Sequence, residues 1–111
     1  MLKYSTPLDG VFHALADPTR RAMVDRLGRG PATVGDLAKP LAMTLSAVMQ
    51  HLLVLEGAGL VRSAKVGRVR TCQLDDDVLA SAETWFASRR AAWNRHLDAL
   101  GAYLEGEDPD A

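Results

Sequence analysis

Two sets of polar side chains in this sequence have the types and spacing needed to bind nucleic acid. Ser46, Gln50 and His51 lie close together in a segment with helical periodicity, and hydroxyl and amide groups can hydrogen-bond to base edges. A cluster of cations follows, with no acidic residue between residues 60 and 74: Arg62, Lys65, Arg68 and Arg70. Such a cluster can neutralise phosphates. These residues therefore indicate recognition of a nucleic acid.

Catalysis and metal binding have little support in the sequence. It contains no Ser-His-Asp or Cys-His arrangement, no phosphate-binding glycine loop, and no paired carboxylates outside a helix start and an acidic end. His13, His51, His96 and Cys72 are too scattered to indicate a zinc site. We therefore predict a protein that is not an enzyme, with no catalytic residues, no metal and no cofactor.

The distribution of charge matters more than its total. The formal net charge is −1, but the last seven residues hold four acidic side chains, and without them 13 basic residues face ten acidic ones. A phosphate backbone responds to local charge, so this composition permits a nucleic-acid partner. We predict one functional domain over residues 1–104 and an acidic, disordered tail over 105–111.

Length and composition limit the class of protein. A chain of 111 residues with 48% hydrophobic residues favours a single globular domain. No apolar run is long enough to cross a membrane, and residues 1–6 lack a signal pattern, so we expect a cytoplasmic protein. A single cysteine, Cys72, excludes an internal disulfide framework.

The first half of the chain is predicted to form four helices. The first covers about 7–16, and Asp17 caps a second that begins at Pro18 and ends at Gly28. Thr33 with Asp36 predicts a capped short third helix. Thr44 caps the fourth, which extends to about Ala58.

The fourth helix has two different faces. Leu45, Val48, Leu52 and Leu55 share one side, which we expect to be buried. The opposite side carries a small, partly polar surface composed of Ala47, Gln50 and Val54, flanked by Ser46 and His51.

Two strands and a long helix complete the predicted fold, which is mainly α with a small β-hairpin. Residues 60–66 and 69–74 have strand character and are joined through Gly67-Arg68. A last helix over about 76–104 begins at three aspartates, where the helix dipole favours negative charge. Its apolar residues recur every seven positions, which suits packing against another helix: Leu79, Phe86, Trp93 and Leu100, with Leu97 and Leu104 in a second row.

Several motifs together resemble the ArsR family of bacterial winged helix-turn-helix repressors. They are Leu15-Ala16-Asp17-Pro18-Thr19-Arg20-Arg21, the run from Gln50-His51-Leu52 to Gly59-Leu60-Val61, and Gly67-Arg68 between the strands. The resemblance covers about residues 8–104. It implies a homodimer formed by the first and last helices, a fourth helix that contacts double-stranded DNA, and repression at a promoter until a signal releases the protein.

The resemblance carries over unevenly to individual residues. The positions that face DNA in the family correspond to Thr44, Ser46, Ala47, Gln50 and His51, whereas Met49 replaces a common serine. To these the charge pattern adds Lys65, Arg68 and Arg70 in the hairpin. The cysteine and histidine motifs of metal-sensing members are absent, so the resemblance is to a subgroup without metal ligands. The implied dimer contacts are Leu8, Val11, Phe12, Phe86, Trp93, Leu97, Leu100 and Leu104.

Some assignments stay open on the sequence alone. His51 either contacts phosphate or holds the helix-turn-helix together, and Arg70 either contacts phosphate or points to the core side of its strand. One of Arg20 and Arg21 is expected to approach phosphate or pair with an acid. Cys72 is expected to pack as a small apolar residue. If the protein has a small-molecule effector, a cavity between the paired last helices is its expected site.

Two rival functions are also compatible with the sequence. One is a winged-helix module that contacts other proteins and has no operator of its own. The other is a repressor whose DNA binding responds to oxidation of Cys72.

Overall fold

The computed structural model describes residues 7–106 and divides into two units on either side of Ala80. The first unit contains four helices and three strands, and most of the fifth helix forms the second. The elements are α1 (Pro7–Leu15), α2 (Pro18–Leu27), β1 (Ala32–Thr33), α3 (Val34–Ala38), α4 (Leu45–Gly57), β2 (Val61–Val66), β3 (Val69–Leu74) and α5 (Asp76–Leu104). Most of the predicted tail, residues 107–111, lies outside the described residues.

The predicted helix starts are confirmed by their capping bonds. The carboxylate of Asp17 accepts a hydrogen bond from the Arg20 amide at 3.0 Å, with Pro18 opening α2. Thr33 and Asp36 form a reciprocal capping box at α3. The Thr44 hydroxyl accepts from the Ala47 amide at 3.1 Å. Each bond satisfies a backbone donor that has no partner within its own helix.

The end of α4 fixes the direction in which the chain enters the sheet. The Leu60 amide donates to the Leu55 carbonyl, and the Gly59 amide donates to the Glu56 carbonyl, each at 3.0 Å. This arrangement needs a left-handed residue, and Gly59 has φ +79°. A Cβ at Gly59 would lie 3.0 Å from the Val78 side chain, so only glycine fits here without movement.

The sheet has three antiparallel strands in the order β1-β3-β2. The predicted hairpin is confirmed: Val66 pairs with Val69, so Gly67-Arg68 form a two-residue turn, and Gly67 supplies φ +62°. The short strand β1 was not predicted. It contains two residues, too few for a periodic pattern, and Thr33 has the extended backbone that a helix cap also requires.

The core of the first unit is formed by apolar side chains from its helices and from β2 and β3. The largest of the fully buried side chains are Val11, Met23, Leu37, Val48, Leu52, Leu55, Leu60 and Cys72. The prediction that Leu45 shares the buried face of α4 is wrong, because its side chain is 59% exposed. Leu45 is the first residue of the helix and lines an open groove, whereas Val48, one turn later, is fully buried.

The second unit contains the part of α5 that follows Ala80. The rings of Trp85 and Phe86 meet edge to face with centroids 5.3 Å apart, and the Arg89 guanidinium lies 5.0 Å from the centre of the Trp85 ring. Most of its large apolar side chains are exposed in the single chain. No helix within residues 7–106 is long and apolar enough to cross a membrane.

Candidate nucleic-acid interface

The outer side of α4 presents a short polar edge. Ser46 and Gln50 are exposed and lie one turn apart, while Ala47 between them is half-buried. Thr44 is also exposed, although its hydroxyl already accepts the capping bond. Of the five residues predicted at this site, Thr44, Ser46 and Gln50 are therefore accessible near the beginning of α4, and Ala47 is partly so.

His51, the fifth of these residues, belongs to a contact network between helices. Its Nδ1 lies 3.4 Å from Nη1 of Arg20 and 3.8 Å from the carboxylate of Asp17. The side chain is half-buried. Of the two roles left open for His51, these contacts favour holding α4 against the start of α2.

Arg20 and Arg21 bind the end of α1, a role that the sequence did not reveal. Nε of Arg20 donates to the Ala14 carbonyl at 2.6 Å and Nη2 donates to the His13 carbonyl at 3.1 Å. Nη1 of Arg21 donates to the Leu15 carbonyl at 2.8 Å. The last carbonyls of a helix lack internal partners and carry partial negative charge.

The same network stabilises the ionised form of Asp17. The backbone hydrogen bond from Arg20 lowers the pKa of the Asp17 carboxyl below its usual value, and the charges of His51 and Arg20 act in the same direction. The carboxylate thus stays charged where it caps α2 and faces His51.

The hairpin of β2 and β3, which we call the wing (residues 61–74), carries two accessible cations near its turn. Lys65 and Arg68 are exposed, and neither forms an ion pair with any residue between 7 and 106. Arg62 instead lies 3.5 Å from the Asp75 carboxylate. Lys65 and Arg68 are therefore the wing cations available to a phosphate backbone.

Arg70 is held on the wing by a chain of hydrogen bonds that begins on α4. Its Nη1 donates to the Ser63 hydroxyl at 2.8 Å, and that hydroxyl donates to the Glu56 carboxylate. Arg70 pairs with Lys65 across the two strands and is half-buried. Its guanidinium is thus anchored at Ser63, and the Glu56–Ser63–Arg70 chain joins the far end of α4 to the wing.

Cys72 packs in the core, as predicted. Its side chain is 0% exposed, and it pairs with Ala32 of β1 and Ser63 of β2. Burial raises the pKa of the Cys72 thiol, and the negative charge of Glu56 raises it further. A thiol that is both buried and protonated is a poor nucleophile, so the structure gives the oxidation-responsive alternative no support.

The residues predicted at a dimer interface are distributed over both units. In α1, Val11 is buried in the core of the first unit, Leu8 is half-buried and Phe12 is exposed. In α5 the apolar residues recur along one side of the helix and are all more than half exposed. We call this surface the α5 stripe: Phe86, Trp93, Leu97, Leu100 and Leu104.

Among the described residues, no group of three or more histidine, cysteine, aspartate or glutamate side chains is arranged to hold a metal ion.

Comparison with known proteins agrees with this arrangement. A family model described as a helix-turn-helix domain matches residues 15–64. The HTH-type transcriptional regulator Rv2034 of Mycobacterium tuberculosis is 41% identical over 99% of this chain and 99% of its own length. The transcriptional repressor SdpR of Bacillus subtilis is 31% identical over 70% of this chain and 87% of its own.

Solved structures extend the likeness to the three-dimensional fold. The crystal structure of an ArsR family transcriptional regulator has a TM-score of 0.76 and 48% identity, over 85% of this chain and 97% of that one. A homodimeric winged helix-turn-helix DNA-binding domain of Mycobacterium bovis has a TM-score of 0.61 and 26% identity, over 84% and 83%. These likenesses indicate a transcriptional regulator and not an enzyme. The chain belongs to the ArsR family of winged helix-turn-helix transcriptional regulators.

Proposed function

We propose that this protein is a homodimeric repressor that binds an inverted-repeat operator and blocks access to a promoter. One observation carries the proposal. The exposed edge of α4, with Ser46 and Gln50, belongs to the same unit as a wing whose Lys65 and Arg68 have no acidic partner among residues 7–106. The first group can recognise bases and the second can bind phosphates.

The α4 edge is suited to the major groove of DNA. That groove is about 12 Å wide and admits one helix. Gln50 can form two hydrogen bonds to adenine, and the Ser46 hydroxyl can donate or accept. Half-buried Ala47 adds no bulk between them, which favours close approach to the bases. Thr44, at the start of the helix, is positioned for the phosphate at the groove edge.

The wing supplies affinity that does not depend on sequence. Lys65 and Arg68 are long, exposed side chains beside a tight turn, and binding them to phosphates releases condensed counterions. Arg70 adds a fixed positive charge, but its bond to Ser63 limits its reach. In this proposal His51 has a structural role and does not bind phosphate directly.

Dimerisation accounts for the exposed apolar surfaces. The α5 stripe exposes five large apolar side chains on one side of a single helix, and Phe12 of α1 is exposed as well. Apolar surfaces of this kind mark interaction sites. The M. bovis neighbour is a homodimer. A two-fold dimer would place its two α4 helices in successive major grooves about 34 Å apart, and its operator would be an inverted repeat.

The proposed effect on transcription depends on where the operator lies relative to the promoter. One relative, SdpR, is a transcriptional repressor. A dimer bound across a promoter excludes other proteins from the same DNA, and release follows when an effector changes the spacing or rigidity of the paired domains. Because its proposed partner is operator DNA, we expect the protein to act in the cytoplasm.

The proposal is tested by capturing genomic DNA fragments with the purified protein and titrating the captured sequence in a gel-shift assay. Gln50→Ala should reduce discrimination between the captured operator and its single-base variants. Arg68→Ala should weaken binding to all sequences alike and flatten the dependence of log K on log salt by about one.

Two control variants separate local from general effects. Gln73→Ala removes an exposed glutamine from the wing and is the control for Gln50→Ala. Arg95→Ala removes one positive charge, as Arg68→Ala does, but from α5. Both should bind the operator like the unaltered protein. The absence of a saturable complex at low salt would refute the proposal and favour the protein-contact module. The reverse division of effects between Gln50→Ala and Arg68→Ala would mean that α4 does not recognise the bases.

A further inference from the structure

A groove of about 480 Å³ lies in the first unit between α3, the beginning of α4 and the wing. Much of its wall is apolar and consists of Val34, Leu45, Met49 and Val69. Leu45 and Val69 are 59% and 52% exposed, so this apolar surface is open to solvent in the single chain. Its volume lies within the range of small-molecule sites, about 300–1,000 Å³.

The charge of the groove has one sign. Lys65, Arg68 and Arg70 line it, and none of its lining residues is acidic. Arg70 is held in place by Ser63, whereas Lys65 and Arg68 have no ion pair within the described chain. The groove thus combines an apolar surface with cations that are not neutralised.

Phosphate binding by the wing does not account for the apolar part of this groove. Phosphates need only the cations, whereas exposed leucine and valine side chains gain free energy when an apolar group covers them. A few fixed charges on a mainly apolar wall are typical of sites for small ligands. The cations of the groove favour a ligand with an anionic group, and its apolar wall favours a ligand with an apolar body.

We propose that this groove binds a small amphiphile with one anionic head, a carboxylate or a phosphate, on a short apolar body. The head pairs with Lys65 and Arg68, and the body covers Leu45, Met49 and Val69. This assignment goes beyond the proposed function and does not require DNA binding to be correct.

One consequence does depend on the proposed function. Lys65 and Arg68 are the side chains assigned to DNA phosphates, and Leu45 lies beside Ser46 on α4. An amphiphile in the groove therefore competes with DNA for the same charges. It would displace DNA directly, without any change in the dimer.

The direct test is isothermal titration calorimetry of the full chain, without DNA, using octanoate and octyl phosphate as probes. Ligands of this size that fit a site bind with dissociation constants of about 0.1–1 mM. Octan-1-ol, which lacks the charge, and inorganic phosphate, which lacks the apolar body, should both bind at least about tenfold more weakly. Saturable binding of either anionic probe, and of neither control, is the expected result.

Matched variants locate the binding site. Leu45→Gln should weaken binding of the anionic probes by roughly tenfold, because an apolar contact is lost. Leu53→Gln changes a leucine of the same helix that is 58% exposed and does not line the groove, and it should leave binding unchanged. Arg68→Gln should weaken binding by about fivefold to tenfold, whereas Arg62→Gln, outside the groove, should not. Circular dichroism melts would show that all four variants are folded.

Three results would overturn the proposal: no saturation by either probe at about 10 mM, equal weakening by Leu45→Gln and Leu53→Gln, or equal affinity for octan-1-ol and octanoate. A competition arm then adds operator DNA. Release of DNA by octanoate in the unaltered protein but not in Leu45→Gln supports the shared site. If calorimetry succeeds and no DNA complex forms, the groove assignment stands and the proposed function fails.

Discussion

Arg20 joins three helices of the first unit although it lies in the first turn of α2. Its guanidinium donates to two carbonyls at the end of α1 and approaches His51 of α4, while its amide is capped by Asp17. The motif Asp17-Pro18-Thr19-Arg20 therefore links α4, the helix proposed to contact DNA, to α1 and α2. The cap could be predicted from Asp17 and Pro18. The acceptors of Arg20 could not, because they depend on how α1 and α2 meet.

Replacing Arg20 by glutamine should lower the free energy of unfolding by about 2 kcal/mol, since hydrogen bonds from a charged donor to α1 carbonyls are lost. Arg21→Gln is the matched control. It removes one exposed bond, to Leu15, and should cost less than about 1 kcal/mol. Urea denaturation at one fixed protein concentration measures both values. Equal decreases in the free energy of unfolding for the two variants would show that the contacts of Arg20 stabilise the fold no more than those of Arg21.

The thiol of Cys72 makes stability depend on pH in the alkaline range. Its pKa is raised in the folded protein, so the unfolded chain loses this proton first as the pH rises past the ordinary thiol value of about 8.5. Unfolding then releases a proton, and each further rise in pH favours the unfolded state. The contribution is complete below the ordinary pKa and is lost as the pH rises through the folded value.

We expect the free energy of unfolding to fall more steeply above about pH 8.5 for the unaltered protein than for Cys72→Ala, which has no thiol to titrate. Denaturation curves at a series of pH values measure the difference. Alkylation of native Cys72 by iodoacetamide should also be slower than alkylation of the unfolded chain at every pH in this range. Identical pH profiles for the two proteins would contradict the raised pKa.

At the scale of elements, the caps and turns were predictable because each depends on a few adjacent residues. Asp17, Thr33, Thr44 and the Gly67-Arg68 turn are local signals, and the structure confirms all four. The strand β1 was missed because its formation depends on pairing with β3, about 40 residues away. A segment of two residues is too short to show the alternation of apolar and polar residues by which a strand is predicted.

The need for glycine in the turn of the wing can be tested by replacing Gly67 and, as a control, Gly57 of α4. Gly67 has φ +62°, so Gly67→Ala should lower stability by roughly 1–2 kcal/mol and weaken binding to all DNA sequences, because Arg68 is displaced. Gly57 ends α4 without a left-handed backbone, and a Cβ there would have no neighbour within 4 Å, so Gly57→Ala should raise stability by about 0.5–1 kcal/mol. Thermal melts and gel shifts measure both effects. A Gly67→Ala protein with unchanged DNA binding would show that the turn does not position Arg68.

At the scale of the whole molecule, the α5 stripe is the surface on which the proposed dimer depends. Its seven-residue spacing was visible in the sequence, and its exposure in the single chain agrees with a partner surface. The groove beside Leu45 was not predictable. Periodicity gives the direction in which a side chain points, but it does not show where the elements that cover it end.

In the proposed dimer, Leu97→Asp would place two carboxylates in the apolar interface, so this substitution should convert the protein to a monomer. Sedimentation equilibrium would show a fall from about twice the chain mass of 12.0 kDa to that mass. Ala91→Asp introduces the same charge on another side of α5 and should leave the dimer intact. A Leu97→Asp protein that remains dimeric would exclude the α5 stripe as the dimer interface.

The Glu56–Ser63–Arg70 chain has a consequence for engineering new DNA specificities. It ties the wing to α4 through residues that lie away from Ser46, Ala47 and Gln50. Those three residues can therefore be randomised in a library without loosening the attachment of the wing. Under the proposed function, such a library should vary the preferred operator while the contribution of the wing to affinity stays constant.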